Sequence, residues 1–340
     1  MLNVTQNVNL APYNTFGVSE YAHWFTRINN PQQIKELVNH PVFAAKPHLI
    51  LGGGSNILFT RSFEGLVIKV DIKGIEKIRE DANHVWLKVG AGENWHSLVM
   101  HCVTASYGGI ENLALIPGTA GAAPVQNIGA YGVELAEVLE EVQGFNLADG
   151  TQLNLSNNEC RFGYRDSIFK QELKGKFFIS SITLRLTVGR HQLRTSYGTL
   201  ADTLIAMGVN QPTLYHVSQA VIRIRTSKLP DPARTGNAGS FFKNPVISGK
   251  QYRELKEIHP KIPGFIVDNQ GVKIPAAWLI EQCGWKGKRI GNAGVHEHQP
   301  LVLVNLGGAS GQEILKLAEE VRHSVAEKFN IDLTPEVNII

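Results

Sequence analysis

The sequence predicts an α+β fold of two or three domains. Short strands and helices alternate in the first third, a hairpin and a long strand follow, and two helices and a strand end the chain. With 340 residues and 43% hydrophobic composition, the chain exceeds the length over which one hydrophobic core usually keeps growing. No internal repeat or low-complexity linker marks the domain boundaries.

The first predicted element is a short helix. Asn30 followed by Pro31 is the pattern of an N-cap residue with proline at the first helical position. Ile34, Leu37 and Val38 then fall on one helical face. We therefore expect an amphipathic helix that begins at this proline.

Two strands joined by a glycine turn are predicted next. Apolar runs at residues 48–51 and 66–70 lie on either side of a glycine cluster at residues 52–56. Alternating apolar and polar residues at 85–89 predict a further strand, and helical spacing at 95–102 predicts the helix after it.

A hairpin is predicted between residues 138 and 155. Apolar and polar residues alternate on both sides of Asp149-Gly150, the dipeptide that most readily supplies the positive φ angles of a tight turn. Residues 178–188 then predict a long strand whose apolar side chains share one face: Ile182, Leu184, Leu186 and Val188. This succession favours the α+β class.

The last third predicts two helices and a terminal strand. Residues 278–283 have helical spacing and stop at Gly284, a residue type typical of the C′ position. Residues 310–313 (SGQE) form a capping box ahead of an apolar stripe made of Ile314, Leu317, Val321 and Val325. Residues 333–340 predict the final strand.

Composition limits the classes of protein to consider. The 33 basic and 30 acidic residues give a net charge of +3 without long runs of either sign, so neither nucleic acid nor a membrane surface is an expected partner. Cys102, Cys160 and Cys283 form no CxxC pair, which argues against disulfides and a metal site. Without a signal peptide or an 18-residue apolar run, we expect a soluble cytoplasmic protein, taken as a monomer.

Two stretches rich in small residues suggest a nucleotide cofactor. Residues 52–56 (GGGSN) can converge backbone N–H groups on a pyrophosphate, although a glycine-rich turn without a ligand is commoner. Ile57 stands where the GxGxxG fingerprint needs glycine, which disfavours a Rossmann fold. Residues 117–132 (PGTAGAAPVQNIGAYG) can lie flat against a ring system and bond its edge, or can form a tightly packed core loop.

Arg165 is a candidate carboxylate-binding residue. It lies in CRFGYRDS at residues 160–167, and its planar guanidinium suits a carboxylate, with Asp166 available to fix it in place. The alternative is a surface ion pair, which is the commoner fate of an Arg beside an Asp. Cys160 is interpreted as an ordinary buried residue.

Ser240 and Glu336 are weaker candidates when each is taken alone. Ser240, in NAGSFFKNP at residues 237–245, lacks the spacing of a nucleophile elbow. Its hydroxyl can act as a proton donor only toward a strongly basic atom such as an enolate carbon. Otherwise Ser240 is expected to cap a turn. Taken alone, Glu336 is expected to be a carboxylate that faces solvent. His296 and His298 lack a third ligand and are interpreted as exposed loop residues.

Together these segments resemble the UDP-N-acetylenolpyruvylglucosamine reductase family. The similarity extends from NTFG at residues 14–17 to TPEV at residues 334–337, and the five motifs occur in the family's order: GGGSN, PGTAGAAPVQNIGAYG, CRFGYRDS, NAGSFFKNP and TPEV. Residues 196–198 (SYG) match the tyrosine loop of the longer-chained class. Thr199 and Pro300 depart from the family pattern beside two substrate loops.

The resemblance implies an FAD-binding fold of the vanillyl-alcohol-oxidase type. Its two subdomains would be residues 1–70 with 330–340 and residues 71–228, and a third α+β domain, residues 229–329, would bind the substrate. In this family NADPH reduces the flavin, whose N5 then gives hydride to the enolpyruvyl ether of UDP-N-acetylenolpyruvylglucosamine. The product is UDP-N-acetylmuramate, a peptidoglycan precursor.

The resemblance also implies the site residues. FAD would be bound by the two stretches of small residues: Gly52, Gly53, Gly54, Ser55, Asn56, Pro117, Gly118, Thr119, Gly121, Ala122, Gln126, Asn127, Gly129, Ala130 and Tyr131. The substrate would be bound by Tyr164, Tyr197, Lys228, Asn244 and Gln299. Arg165 and a protonated Glu336 would stabilise the enolate, and Ser240 would protonate it.

Two alternative functions are compatible with parts of this pattern. The first is another FAD oxidoreductase of the same fold that acts on a sugar or an alcohol. The second is a protein that binds a UDP-sugar without redox chemistry. Neither needs Arg165, Ser240 and Glu336 together, so the reductase is the preferred hypothesis.

Overall fold

The computed structural model describes residues 2–267 and 271–340, which fall into two compact units. Unit 1 contains residues up to Val8, Ala22–Gly53 and Phe63–Ser227. Unit 2 contains Asn9–Tyr21, Gly54–Ser62 and Lys228–Ile340. The further division of the chain into two FAD-binding subdomains and a substrate domain, with the bounds given above, stays a prediction.

Most strands in both units are short. In chain order they are β1 (Val4–Asn9), β2 (Tyr21–Ile28), β3 (His48–Leu51), β4 (Ile57–Leu58), β5 (Phe63–Val70), β6 (Ile75–Glu80), β7 (His84–Gly90), β8 (Tyr107–Gly108), β9 (Gly129–Ala130), β10 (Val133–Glu134), β11 (Leu139–Asn146), β12 (Gln152–Ser156), β13 (Phe177–Val188), β14 (Gly236–Ser240), β15 (Val246–Ile247), β16 (Phe265–Val267), β17 (Gly271–Lys273), β18 (Arg289–Ile290), β19 (Ala293–Val295), β20 (Val302–Asn305) and β21 (Asn338–Ile339).

The helices are distributed over both units. In chain order they are α1 (Gln33–Val38), α2 (Pro41–Ala45), α3 (Trp95–Thr104), α4 (Leu200–Ala206), α5 (Leu214–Lys228), α6 (Gly249–Ile258), α7 (Ala276–Gln282) and α8 (Gly311–Phe329). Short 3₁₀ turns occur at Ala11–Tyr13, Glu111–Leu113, Ala120–Ala122, Pro124–Gln126 and Leu135–Glu137. No helix in residues 2–267 and 271–340 is long and apolar enough to cross a membrane.

Unit 1 is built on two sheets. One has the order β1-β2-β5-β3, in which β2, β5 and β3 run parallel. The other has the order β12-β11-β13-β7-β6 and is antiparallel, with β8 also paired to β13. The long strand predicted at residues 178–188 is confirmed as β13, and Ile182, Leu184 and Leu186 are fully buried. Val188 is partly exposed at its end.

Unit 2 packs helices against a small antiparallel sheet. Its order is β14-β20-β19-β18, and a second sheet has the order β15-β17-β16. The predicted helix ending at Gly284 is confirmed as α7, with Gly284 at a φ of 75°. The capping box is also confirmed, because Ser310 Oγ accepts the Glu313 N–H and the Glu313 carboxylate accepts the Ser310 N–H. The apolar stripe of α8 is buried in this unit's core.

Three local expectations need correction. The first helix begins at Gln33, because the N–H groups after Pro31 first form tight turns, while the Asn30 side chain accepts the Gln32 N–H. The hairpin exists, but its loop runs from residue 147 to 151, and Gly150 takes a positive φ where Asp149 does not. The two-residue turn is therefore not formed.

The terminal strand is much shorter than the predicted span of residues 333–340. Of these residues, Asn338–Ile339 pair with β4 as β21, whereas Pro335 forms an isolated bridge with Phe242. Proline has no N–H to donate to a ladder. The segment also changes partner along its length, so a regular strand cannot extend through it.

Replacing Ser310 with Ala tests the capping box. The variant removes an acceptor for the Glu313 N–H, so we expect the free energy of unfolding to fall by about 1 kcal/mol. Urea denaturation followed by circular dichroism measures the change. Ser310→Thr keeps the hydroxyl and should stay close to the parent protein; equal losses in the two variants would contradict this role.

Candidate active site

Two glycines at the end of β3 lie against the stretch of residues 117–132. A Cβ on Gly53 would come 2.8 Å from the Gly118 Cα, and a Cβ on Gly52 would come 2.8 Å from Thr119 Oγ1. Real Cβ atoms do not approach backbone this closely, so position 53 requires glycine, whereas the atom that faces position 52 belongs to the side chain of Thr119. The structure thus brings together part of the two stretches that the sequence assigned to one cofactor.

Thr119 provides an independent sign of a ligand. Its Oγ1 is buried and has no hydrogen-bond partner among the described residues. Buried hydroxyl groups are normally bonded, since an unbonded one costs free energy. A polar group such as the pyrophosphate of FAD would satisfy this hydroxyl, so the residues present fit the cofactor.

Part of the same stretch serves packing instead. A Cβ on Gly121 would lie 2.5 Å from the Ala91 Cβ. The Gly121 N–H donates to the Ala91 carbonyl. Asn127 is 1% exposed; its amide donates to Glu134 and to the Gly163 carbonyl and accepts the Ala136 N–H. The Asn127 side chain is therefore used within the protein, so the packing alternative applies to Gly121 and Asn127, and the assignment of the stretch to the cofactor stays a prediction.

Arg165 lies at the tip of a tight turn. The Gly163 and Asp166 backbones bond each other on either side of it, and Arg165 has a φ of 55°. Its guanidinium donates to the Gly129 carbonyl at 2.7 Å and to the Asn127 carbonyl at 3.4 Å. The orientation comes from these carbonyl groups, not from Asp166 as the sequence suggested. The Asp166 carboxylate accepts from the Gln171 amide.

Arg225 is a candidate site residue that the sequence analysis missed. It lies on α5, and its Nε donates to the Leu115 carbonyl at 3.3 Å. Burial lowers the pKa of Arg225, and the positive charge of nearby Arg165 acts in the same direction. Among the described residues it has no carboxylate at ion-pair distance. Two guanidinium groups within electrostatic reach, one lacking a carboxylate, suit an anionic ligand.

Ser240 ends β14 in unit 2, immediately after a bulge. Ser240 pairs with Val302, but the register shifts between Asn237 and Ser240, and Gly239 has a φ of 69°. The Asn237 side chain accepts the Gly239 N–H and so fixes this bend. Bulges of this kind re-aim side chains and are frequent beside active sites. Ser240 is partly exposed at that bend.

Glu336 is placed next to the same segment by backbone hydrogen bonds. Its N–H donates to the carbonyl of Phe241, the residue after Ser240, at 2.8 Å. Its own carbonyl accepts from the Asn56 amide at 3.3 Å. The Lys243 N–H donates to the Thr334 carbonyl one step away. The structure therefore brings Ser240 and Glu336 into one part of unit 2, with Asn56 holding the far side.

The predicted substrate residues differ in how firmly they are held. Tyr164 and Tyr197 are 63% and 60% exposed, and Lys228 is also exposed. The Asn244 side chain accepts the Ala276 N–H at the start of α7. The N–H of Gln299 donates to His296 Nδ1 at 3.2 Å. His296 thus helps to fix the conformation of this turn. No group of metal-ligating side chains is present in residues 2–267 and 271–340.

The cysteines do not supply a reactive thiolate. Burial raises the pKa of Cys102 to about 12 and that of Cys160 to about 12. Burial also raises the pKa of Cys283. A thiol is nucleophilic only when deprotonated, so the interpretation of Cys160 as a structural residue agrees with its environment.

Comparison with known proteins identifies two family models along the chain. The model described as FAD binding domain matches residues 24–156. The model described as UDP-N-acetylenolpyruvoylglucosamine reductase, C-terminal domain, matches residues 231–340. These ranges contain the glycine-rich stretches and the Ser240 and Glu336 motifs respectively.

Full-length relatives carry the same reductase name. A UDP-N-acetylenolpyruvoylglucosamine reductase from Amoebophilus asiaticus is 50% identical over 339 residues, which is 100% of both chains. One from Chromobacterium violaceum is 49% identical over 340 residues, covering 100% of this chain and 99% of the relative. The crystal structure of a UDP-N-acetylenolpyruvylglucosamine reductase from Thermus caldophilus superposes with a TM-score of 0.69 at 25% identity, covering 100% and 99% of the two chains.

Replacing Gly54 with Ala tests the glycine turn against a matched control. Gly54 and Gly17 have φ angles of 66° and 67°, so alanine at either costs about 1–2 kcal/mol of backbone strain. A Cβ on Gly54 would in addition overlap the Tyr13 carbonyl oxygen, whereas none of the described atoms lies within 4 Å of one on Gly17. We expect Gly54→Ala to lower the free energy of unfolding clearly more than Gly17→Ala. Equal urea midpoints would refute the steric argument.

Proposed function

Since the chain belongs to the UDP-N-acetylenolpyruvoylglucosamine reductase family, we propose that Arg165, Ser240 and Glu336 carry the reduction of its substrate. The protein is an FAD-containing oxidoreductase of peptidoglycan precursor synthesis with the α+β fold of vanillyl-alcohol oxidase. The observation that carries the proposal is the Glu336–Phe241 backbone bond, because it joins the two motifs that hold the proton donor and the carboxyl group.

The two glycine-rich stretches are proposed to hold FAD. Gly52, Gly53 and Gly118 allow close backbone approach, and the unbonded Thr119 hydroxyl is available to a phosphate oxygen. When bound, FAD supplies the hydride that adds to the terminal CH₂ carbon of the enolpyruvyl group. The remaining predicted contacts are Gly54, Ser55, Asn56, Pro117, Gly121, Ala122, Gln126, Asn127, Gly129, Ala130 and Tyr131.

Arg165 and Glu336 are proposed to stabilise the charge that develops on the substrate. Hydride addition to the CH₂ carbon pushes negative charge onto the enolate formed from the carboxylate end. The guanidinium of Arg165 is already oriented by the Gly129 and Asn127 carbonyls, so little reorganisation is needed as the charge grows. Glu336 in its protonated form would donate a hydrogen bond to the same group.

Ser240 is proposed to deliver the proton that completes the reaction. The enolate carbon next to the carboxylate is basic enough to accept a proton from a hydroxyl. The bulge at Gly239 fixes the direction from which Ser240 approaches, and that direction would set the configuration of the new centre. The proton would pass from Ser240 Oγ to this carbon.

The remaining partners follow from the same assignment. The UDP-sugar would contact Tyr164, Tyr197, Lys228, Asn244 and Gln299, and the reductant would be NADPH. The free thiols of the described chain fit a reducing cytoplasm. The near-neutral net charge of +3 supports a protein that does not bind nucleic acid, and we take it to act as a monomer.

Replacing Arg165 with Lys tests the guanidinium. A lysine ammonium cannot bond both carbonyl groups and still present two parallel donors to a carboxylate. We expect reoxidation of the reduced flavin by UDP-N-acetylenolpyruvylglucosamine to slow about 10²–10³-fold in anaerobic stopped-flow absorbance measurements. Arg161→Lys is the matched control, because Arg161 lies in the same motif and pairs with Glu172 at the surface. A similar loss in the control would argue against a specific role.

Replacing Ser240 with Ala tests the proton donor in a two-stage anaerobic experiment. NADPH is added to the yellow protein first, and UDP-N-acetylenolpyruvylglucosamine second. We expect normal bleaching in the first stage and a reoxidation about 10²–10⁴-fold slower in the second. Ser248→Ala, which removes a hydroxyl that caps α6 in the same unit, should behave as the parent protein. Parent-like reoxidation by Ser240→Ala would remove this residue from the mechanism.

A further inference from the structure

A histidine, a left-handed peptide and a half-buried arginine form a continuous chain of hydrogen bonds in unit 1. His96 lies in the first turn of α3, and its Nδ1 accepts the Leu115 N–H at 3.1 Å. The carbonyl of the same residue, Leu115, accepts from Arg225 Nε at 3.3 Å. Both polar groups of Leu115 are therefore held by side chains from two different helices.

Leu115 has an unusual backbone conformation for its residue type. Its φ is 58°, and a leucine in this left-handed region is strained by about 1–2 kcal/mol. Such residues persist only when the surroundings impose the conformation. The neighbouring bonds come from Trp95, whose indole donates to the Leu113 carbonyl and whose N–H donates to the Gly118 carbonyl. The contact that acts on the Leu115 N–H itself is the one from His96.

The contact also defines the protonation state of His96. A backbone N–H can only donate, so Nδ1 must carry a lone pair, and the ring is the neutral tautomer with its single proton on Nε2. Burial lowers the pKa of His96 below its ordinary value of 6.5, and the charge on Arg225 acts in the same direction. A second proton would remove the acceptor and place a positive charge beside Arg225.

From this geometry we propose that His96 is a positioning residue for Arg225. Its neutral ring holds the Leu115 peptide so that the carbonyl points at Arg225 Nε and fixes the guanidinium. Arg225 in turn lies within electrostatic reach of Tyr131 and Arg165, and no carboxylate of residues 2–267 and 271–340 is at ion-pair distance from it. A role of His96 and Arg225 in the reaction rests on the proposed function, because this role assumes that Arg165 and Tyr131 line the site.

Two amide variants separate the acceptor from the ring. In His96→Asn the Oδ1 atom is two bonds from Cβ, as Nδ1 is in histidine, so the acceptor is kept without a titratable group. In His96→Gln the acceptor is one bond farther out and cannot occupy that position. The pair is matched in chemistry, and both side chains are polar and uncharged.

The direct readout is the Nε–H signal of Arg225 in ¹H–¹⁵N spectra of the full-length FAD-containing protein. Its absence in Arg225→Lys assigns the signal. We expect slow hydrogen exchange of this N–H in the parent protein and in His96→Asn, and fast exchange in His96→Gln. Unchanged protection in His96→Gln, or equal loss of protection in both amide variants, would overturn the proposal.

The kinetic readout is the pH profile of reoxidation by UDP-N-acetylenolpyruvylglucosamine. We expect the parent rate to fall on the acid side with a midpoint below 6.5, and this limb to be absent in His96→Asn. His96→Gln should be slower at every pH, by up to about 10²-fold. If Arg165→Lys is impaired while Arg225→Lys reacts normally, the proposed function stands and the role of His96 in the reaction is refuted.

Discussion

The site region of unit 1 depends on backbone peptides held in the left-handed conformation by hydrogen bonds within the unit. They occur at Leu115, Tyr131 and Arg165, where each costs about 1–2 kcal/mol, and at Asn127, whose residue type adopts this conformation more readily. The Asn112 amide bonds the Tyr131 carbonyl, and the Gly163–Asp166 bridge closes the turn at Arg165. These positions carry bulky or polar side chains where glycine would be easier. The strain is therefore tolerated because it aims particular groups.

Local signals in the sequence were sufficient where one segment determines its own structure. The Ser310 capping box and the Gly284 stop act within a single turn, and both form as expected. The first helix and the terminal strand were placed less well because their ends depend on distant partners. Residues 333–340 bond first to residues 241–243 and then to residues 56–60, and no periodicity in the segment itself records that change.

The same distinction applies to the candidate site. The two stretches that contain Gly53 and Gly118 were recognisable as glycine-rich from the sequence. The contact between these two residues depends on the fold. Arg225 was missed because it follows Ile224 on an amphipathic helix, where a charged residue usually marks the solvent face. What distinguishes it is the carbonyl of Leu115 and the lack of a nearby carboxylate among the described residues, and neither is visible in one sequence. Arg165 was found through its motif, yet its orientation by Gly129 was not.

In unit 2 the proposed proton donor and carboxyl group share one backbone scaffold. The carbonyl of Phe241 binds the N–H of Glu336, so a displacement of the terminal segment would also shift the strand that ends at Ser240. Asn56 bonds the other side of the segment through the carbonyls and amides of residues 336–338. Because the segment is held on both sides, hydrogen bonds of the backbone fix the position of residue 336 relative to the strand that ends at Ser240.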